Sequence, residues 1–356
     1  MHNIRLVQLG LGGVGSAFLQ QYLGLPPASR AGLDLVAVAD VSGAIRSDAG
    51  LAYRALAAAL SAATSRQLLS TLPGSVPLSQ LDDLPAGVTI VADITASDAT
   101  LPLLRRAVAS GGGVVLANKR PVAATQAIWH ELARGGHLRY EATVGAGLPV
   151  IYTLRYLTAT GDRVLRVEGA LSGTLGYLFS RIEAGDSFST ALRSAYQQRY
   201  TEPDPRDDLG GMDVARKALV LARTIGLELE PADISVQALY PDEMSALSVP
   251  DFLAQAERLD DSFRRQREQA ESEGKVLRYL AQVARDNVSI GLSSVPADSP
   301  FAALRGADNL IVIHTERYTS PMRIAGPGAG TQVTAAAVLA DVLDLATSLR
   351  AEGCGG

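Results

Sequence analysis

The chain opens with short, largely apolar segments separated by longer amphipathic stretches. Ile4–Leu9, Leu33–Ala39, Val88–Ile94, Gly113–Ala117 and Leu138–Val144 have strand length, the first four of them mostly apolar. Such runs fit strands buried on both faces. Between them, Val14–Leu23, Gly50–Leu69, Ala99–Ser110 and Ala123–Ala133 read as helices, the first stopped by Gly24 and Pro26-Pro27. Regular alternation of this kind predicts a doubly wound parallel sheet.

The pattern changes after residue 146. Arg163–Leu171 alternates in polarity like a half-exposed strand, and helical segments follow near 174–184, 187–198 and 211–226. Ala256–Lys275 is dense in charge and reads as a solvated helix. Alternating strands recur at Val276–Val283, Val288–Ser294 and Asn309–Glu316, and an Ala-rich helix covers Val333–Leu349. Helices in series with alternating strands predict a second, α+β domain on an antiparallel or mixed sheet.

Composition narrows the chemistry. With 356 residues, 47% of them hydrophobic, the chain can build two sizeable cores. The balance of 32 basic and 37 acidic residues has no Lys/Arg cluster, which argues against a nucleic-acid partner. No run of apolar residues is long enough to span a membrane, and Met1–Arg5 leads straight into a strand. The expectation is a cytoplasmic protein. The single cysteine, Cys354, sits in a Gly-rich tail, so a disulfide framework within one chain and multi-cysteine metal centres are excluded, and thiol catalysis would be poorly placed.

Gly10-Leu11-Gly12-Gly13-Val14-Gly15 fits G-x-G-x-x-G between a strand and a helix. Gly10 permits the tight turn, Gly12 a close backbone approach to pyrophosphate, and Gly15 close helix–strand packing; the helix N-terminus faces the phosphates. Asp40, at the end of the second strand, can accept from a ribose 2′-hydroxyl or simply begin a turn, while Arg46 could pair with a 2′-phosphate. NAD and NADP both remain open. Thr95 and Lys119 end strands at the C-terminal sheet edge, where ligands of such sheets bind. That places Thr95 near the nicotinamide half of the cofactor. His2, His130, His137 and His314 lie in no polar motif, which leaves lysines and carboxylates for acid–base work.

Two segments are dense enough in such groups: Tyr140–Pro149 and Tyr200–Lys217. With Ala117-Asn118-Lys119, Leu171-Ser172-Gly173-Thr174-Leu175 and Gly326-Pro327-Gly328-Ala329-Gly330, they resemble the homoserine dehydrogenase family in identity and order. The resemblance runs from Gly10 to Gly330 and is most specific in the Glu202–Lys217 block. It implies reversible hydride transfer between L-aspartate 4-semialdehyde and L-homoserine, with NAD or NADP as cofactor, on the route to threonine and methionine. It implies Lys217 as general acid/base, Glu202 and Asp213 as substrate-binding acids, Lys119 as a second active-site lysine, and Gly328 beside the cofactor. A monovalent cation, typically sodium, is implied at Glu141 and the carbonyls of Val144, Ala146 and Leu148. Asp213 and Lys217 share a helix face by their spacing of four, and oxygen-only ligation with one carboxylate suits a hard cation.

The implied fold is α/β: a Rossmann-type doubly wound parallel sheet plus an α+β substrate-binding and dimerisation domain. Residues 1–146 would bind the dinucleotide, with a C-terminal helix at 326–352 packing back on them. Residues 147–325 would bind substrate and form a homodimer. Two positions depart from the family pattern: Arg199 where a glycine is usual before Tyr200, and Gly176 where asparagine is common. The expected member is the short form, without a C-terminal regulatory domain. The alternatives are a dehydrogenase of another amino-acid semialdehyde and a catalytically silent dinucleotide-sensing protein.

Overall fold

The first apolar run forms β1 (Ile4–Leu9), followed by β2 (Leu33–Ala39), both fully lined by buried side chains on at least one face. β1 pairs in parallel with β2, Ile4 opposite Leu33, and with β5 (Thr89–Asp93), Arg5 opposite Thr89. β6 (Gly113–Leu116) and the two-residue β7 (Leu138–Arg139) extend the parallel sheet. Two short strands, β3 (Ala44–Arg46) and β4 (Ser75–Val76), add an antiparallel edge, giving the order β4-β3-β2-β1-β5-β6-β7. The computed structural model describes residues 3–81, 83 and 87–353; His2 and Cys354 lie outside the described residues.

Helices cover this sheet. Gly13–Gly24 packs against the long C-terminal helix Thr331–Gly353, and both pack with β1 and β5 in one core that includes Leu6, Phe18, Leu19, Val338, Val342 and Leu345. By length and composition the C-terminal helix could cross a bilayer. Here Ala335, Val338, Val342, Leu345 and Leu349 are spent in that core, which accounts for its apolar character. The expected Gly50–Leu69 helix shortens to Tyr53–Thr64, with a separate 3-10 turn at Leu69–Thr71. The expected strand over 138–144 ends at Arg139. Residues 141–143 turn as a 3-10 helix, and Gly145 and Ala146 both take positive φ, +81° and +57°, which no strand tolerates.

A second compact unit spans Leu148–Gly328; the first comprises the chain up to Gly147 and from Ala329. The second unit holds β8 (Val164–Ala170), β9 (Ser235–Val236), β10 (Lys275–Ala284), β11 (Val288–Pro296), β12 (Asp308–Thr315) and β13 (Met322–Pro327). Their order is β13-β12-β8-β10-β11-β9, antiparallel except for β9 beside β11. One face presents Val167, Ala281, Val283, Ile290, Ile311 and Ile313, all buried. Helices Gly173–Glu183 and Met212–Thr224 pack on β10. In the charged region only Asp260–Ser272 is α-helical; it is anchored by Phe263, whose ring stacks on Phe188 at 4.2 Å.

Candidate active site

The glycine-rich turn is built by steric demand. Gly10 has φ +97°, and a Cβ there would stand 2.6 Å from the Ile94 carbonyl oxygen. A Cβ on Gly15 would meet the Gly10 carbonyl oxygen at 2.1 Å, so only glycine lets the helix start so close to β1. Gly12, by contrast, faces open space, with nothing within 4 Å of a Cβ built on it. No side chain caps the helix that begins at Gly13, which leaves the N–H groups of Gly13 and Val14 directed outward at the positive end of the helix dipole. An open glycine beside uncapped amides is a cradle that fits a pyrophosphate. Gln8 holds the turn from below: its Nε2 donates to the carbonyls of Gly10 and Gly15, each at 2.9 Å. Nothing in the sequence pattern singled out Gln8, because a glutamine inside an apolar strand carries no periodic signal.

A buried carboxylate organises the neighbouring strand ends. Asp93 accepts from the Thr95 amide at 3.0 Å and hydroxyl at 2.7 Å on one oxygen. Its other oxygen accepts from the Thr100 hydroxyl at 2.6 Å and Asn118 Nδ2 at 3.0 Å. The Thr95 hydroxyl proton is therefore committed to Asp93, and its methyl packs under Gly10. Asn118 also accepts from the Arg120 amide and caps the short Lys119–Val122 helix. Lys119 thus opens a helix just after β6 rather than ending a strand.

Asp40 closes its own turn. One oxygen accepts from the Ser42 amide at 2.7 Å, the Ser42 hydroxyl at 2.6 Å and the Gly43 amide at 3.2 Å. The other accepts from the Leu69 amide at 2.9 Å. Burial pushes its pKa up, but these hydrogen bonds outweigh burial and hold it below the usual carboxylate value. Arg46 is engaged as well, with Asp48 at 3.0 Å and with the Gln80 carbonyl.

Glu141 opens the turn after β7. Its amide donates to Asp341 at 2.8 Å and its carbonyl accepts from the Val144 amide at 3.3 Å. The successive left-handed residues Gly145 and Ala146 curl the chain there, and the Leu148 carbonyl accepts from Val150 at 2.8 Å. Among the described residues no three His, Cys, Asp or Glu side chains converge on a point.

The second unit gathers the acid–base groups around Lys217. The Met212–Thr224 helix places Asp213 in its first turn and Lys217 one turn later, and the two pair at 2.8 Å. Lys217 is 9% exposed, and its Nζ also donates to the Leu171 carbonyl at 2.6 Å. The helix begins at Gly211, φ +72°, where a Cβ would stand 2.1 Å from the Tyr279 hydroxyl; that hydroxyl donates to the Gln237 carbonyl at 2.8 Å.

Glu202 is exposed, and its amide donates to Asp208 at 2.8 Å. The Thr174 hydroxyl lies against Asp208 and donates to the Tyr200 carbonyl at 2.6 Å. Asp208, which sequence reasoning did not single out from the surrounding acids, is the half-buried centre of this loop. Burial raises its pKa, the charges of Glu202 and Asp213 add to the rise, and the hydrogen bond from the Glu202 amide and the adjacent Thr174 hydroxyl oppose it. Asp204 and Arg206 instead pin the loop: they pair at 2.5 Å, and Arg206 donates to the Ser245 and Leu247 carbonyls at 2.6 Å. Arg199 sits in this segment with φ +59°, a conformation that favours glycine.

Two glycines have local explanations. A Cβ on Gly176 would approach the Gly306 carbonyl oxygen to 2.9 Å, so a larger residue there requires that loop to shift. Gly328 lies flat on the buried Asn309 amide, with 2.1 Å between a built Cβ and Asn309 Cγ.

An uncapped Gly-rich strand–helix turn in one unit and a buried lysine paired with a half-exposed carboxylate in the other are the parts of a dinucleotide-dependent oxidoreductase. Residues 149–343 match the family described as homoserine dehydrogenase. The chain is 38% identical over 359 residues to the homoserine dehydrogenase of Saccharomyces cerevisiae, covering 97% of this chain and 99% of that one. It is similar to the crystal structure of a Candida auris protein of unknown function, with TM-score 0.85, 34% identity and coverage of 98% and 99%. A hyperthermophilic archaeal homoserine dehydrogenase in complex with NADPH shares the fold, with TM-score 0.75, 21% identity and coverage of 97% and 98%. The chain belongs to the homoserine dehydrogenase family, the NAD(P)-dependent oxidoreductases that act on the CH–OH group of homoserine.

Proposed function

We propose that Lys217 is the proton-transfer group of this homoserine dehydrogenase. The observation that carries the reading is its burial, with Nζ fixed between the Leu171 carbonyl and Asp213. The dinucleotide, when bound, supplies or accepts the hydride. In aldehyde reduction the Lys217 ammonium donates a proton to the carbonyl oxygen as negative charge develops there; in homoserine oxidation the neutral amine accepts the hydroxyl proton. Asp213 orients Nζ, and Glu202 offers an exposed carboxylate to the substrate ammonium. Lys119 serves as the second active-site lysine.

The residues that would hold the cofactor are Gly10, Gly12, Gly13, Val14 and Gly15 for the pyrophosphate, with Asp40, Thr95, Lys119 and Gly328 around the remainder. NADPH is the cofactor named for the archaeal relative, and NAD or NADP is proposed here. A monovalent cation, sodium, is proposed at Glu141 and the carbonyls of Val144, Ala146 and Leu148. The reversed turn at Gly145 and Ala146 supports this, because it lets nearby carbonyls converge.

In this reading the first unit is the dinucleotide domain and the second binds substrate. The sheet of the second unit would form a homodimer through the face carrying Arg166, Glu168 and His314, which is only partly covered. We place the enzyme in the cytoplasm. The direct test is formation of reduced nicotinamide from L-homoserine with NAD and with NADP. Turnover with at least one is expected; none from folded protein contradicts the proposal.

A further inference from the structure

The edge of the parallel sheet where β2 begins lies opposite the edge that carries Gly10 and Asp93. Asp34 and Asp40 mark the two ends of β2, about 20 Å apart at the rise of an extended strand. At the Asp34 end, wholly within the first unit, is a cavity of about 340 Å³ lined by Tyr22, Arg30, Asp34, Leu35, Tyr53 and Leu56 among others. That volume falls in the range of small-molecule sites, about 300–1,000 Å³.

Its walls carry two opposite charges that do not meet. The Arg30 guanidinium lies over the Tyr22 ring, 5.9 Å from its centroid, and the Tyr22 hydroxyl donates to the Leu33 carbonyl next to Asp34. The two charges therefore flank one aromatic ring. Among the described residues neither forms an ion pair, and the only hydrogen bond to the Asp34 carboxylate comes from Asn3, at 2.7 Å. Arg30 Nε is buried and has no acceptor, a costly arrangement without a partner. Gly50, at φ +93°, lies beside the Asp34 side chain, with 3.6 Å between a built Cβ and Asp34 Cβ. Tyr22, Leu35 and Leu56 form a buried apolar floor, and Tyr53, 71% exposed, stands at the mouth.

We propose that this cavity binds a neutral α-amino acid with an apolar side chain. Its carboxylate would take the planar guanidinium of Arg30, its ammonium the Asp34 carboxylate, and its side chain the floor at Leu35 and Leu56. The site is separate from the proposed substrate site, whose Glu202, Asp213 and Lys217 lie in the other unit.

The test is calorimetric titration of the full chain with L-valine and L-isoleucine, and with N-acetyl-L-isoleucine and L-isoleucinamide, which each lack one charge of the zwitterion. Saturable binding of the free amino acids is expected, with Kd in the range of about 10 μM to 1 mM. Either blocked form should bind at least about 10-fold more weakly, and so should the free amino acids to Arg30→Met and Asp34→Asn. Tyr53→Ser, at an exposed position, probes the mouth without disturbing the core. Because the substrate site also takes an amino acid, Glu202→Gln is titrated in parallel and should retain binding. Homoserine turnover without added ligand should be unchanged in the Arg30, Asp34 and Tyr53 variants. No saturation by about 10 mM, equal binding of the blocked forms, or binding lost in Glu202→Gln but kept in Asp34→Asn would each overturn the assignment.

Discussion

Gly211→Ala tests whether the N-terminus of the Lys217 helix is fixed by close packing. Residue 211 holds φ +72°, which costs an L-residue about 1–2 kcal/mol. The new Cβ would stand 2.1 Å from the Tyr279 hydroxyl and 3.1 Å from Val236 Cγ1. The hydroxyl must move, which breaks its bond to the Gln237 carbonyl at a cost of about 1–2 kcal/mol. The sum, about 2–4 kcal/mol, corresponds to a fall in Tm of about 5–15 °C at roughly 2–4 °C per kcal/mol for a unit of this size.

Asp213 and Lys217 follow the displaced turn, so kcat should fall about 10-fold or more while cofactor affinity is kept. Thermal unfolding and steady-state kinetics read both effects. Tyr279→Phe removes the clashing oxygen, so the double variant should lose less stability than the sum of the singles, by about 0.5–1 kcal/mol. A Gly211→Ala protein that melts with the wild type, or strict additivity in the cycle, would refute the reasoning.

Two carboxylate substitutions have further expected outcomes. Asp208→Asn should melt a few degrees higher at neutral pH while kcat/KM falls about 10-fold, because Glu202 loses its anionic anchor. The folded pKa of Asp208 is raised, so the wild type loses stability as pH rises through that pKa. The gap between wild type and variant should close as the solution is acidified toward the unfolded carboxylate value of about 3.9. Asp40→Asn should show the reverse dependence. The folded pKa of Asp40 is lowered, so its contribution is present above the unfolded value and is lost as pH falls through the folded one. The variant should be about 1–2 kcal/mol less stable at neutral pH, with the difference vanishing in acid.

Much of the first unit was legible because its strands are buried on both faces. Ile4–Leu9 and Leu33–Ala39 are mostly apolar, interrupted only by Arg5, Gln8 and Asp34, and their limits in the structure are those the pattern marks. The pairing of Asp213 with Lys217 was legible for an equally local reason, the spacing of one helical turn. Local pattern failed where tertiary context decides. The edge strands Ala44–Arg46 and Ser75–Val76 are too short to show a period. The Val150–Ala159 helix was masked by the exposed Tyr152 and Tyr156 among its apolar positions. The strand expected to reach Val144 stops early because the chain reverses at Gly145 and Ala146. Gln8, Asp93 and Asp208 each act through partners that the fold brings in, and no motif announces them.

The central claim is that Lys217 moves the proton, and Lys217→Arg tests it most directly. Arginine keeps the positive charge beside Asp213 but cannot release its proton, since its pKa exceeds about 12. The measurement is single-turnover reduction of the nicotinamide by L-homoserine, with cofactor binding titrated separately. The account predicts a rate lower by about 10²–10⁴ with cofactor affinity retained. Wild-type hydride transfer in the Lys217→Arg protein would contradict it.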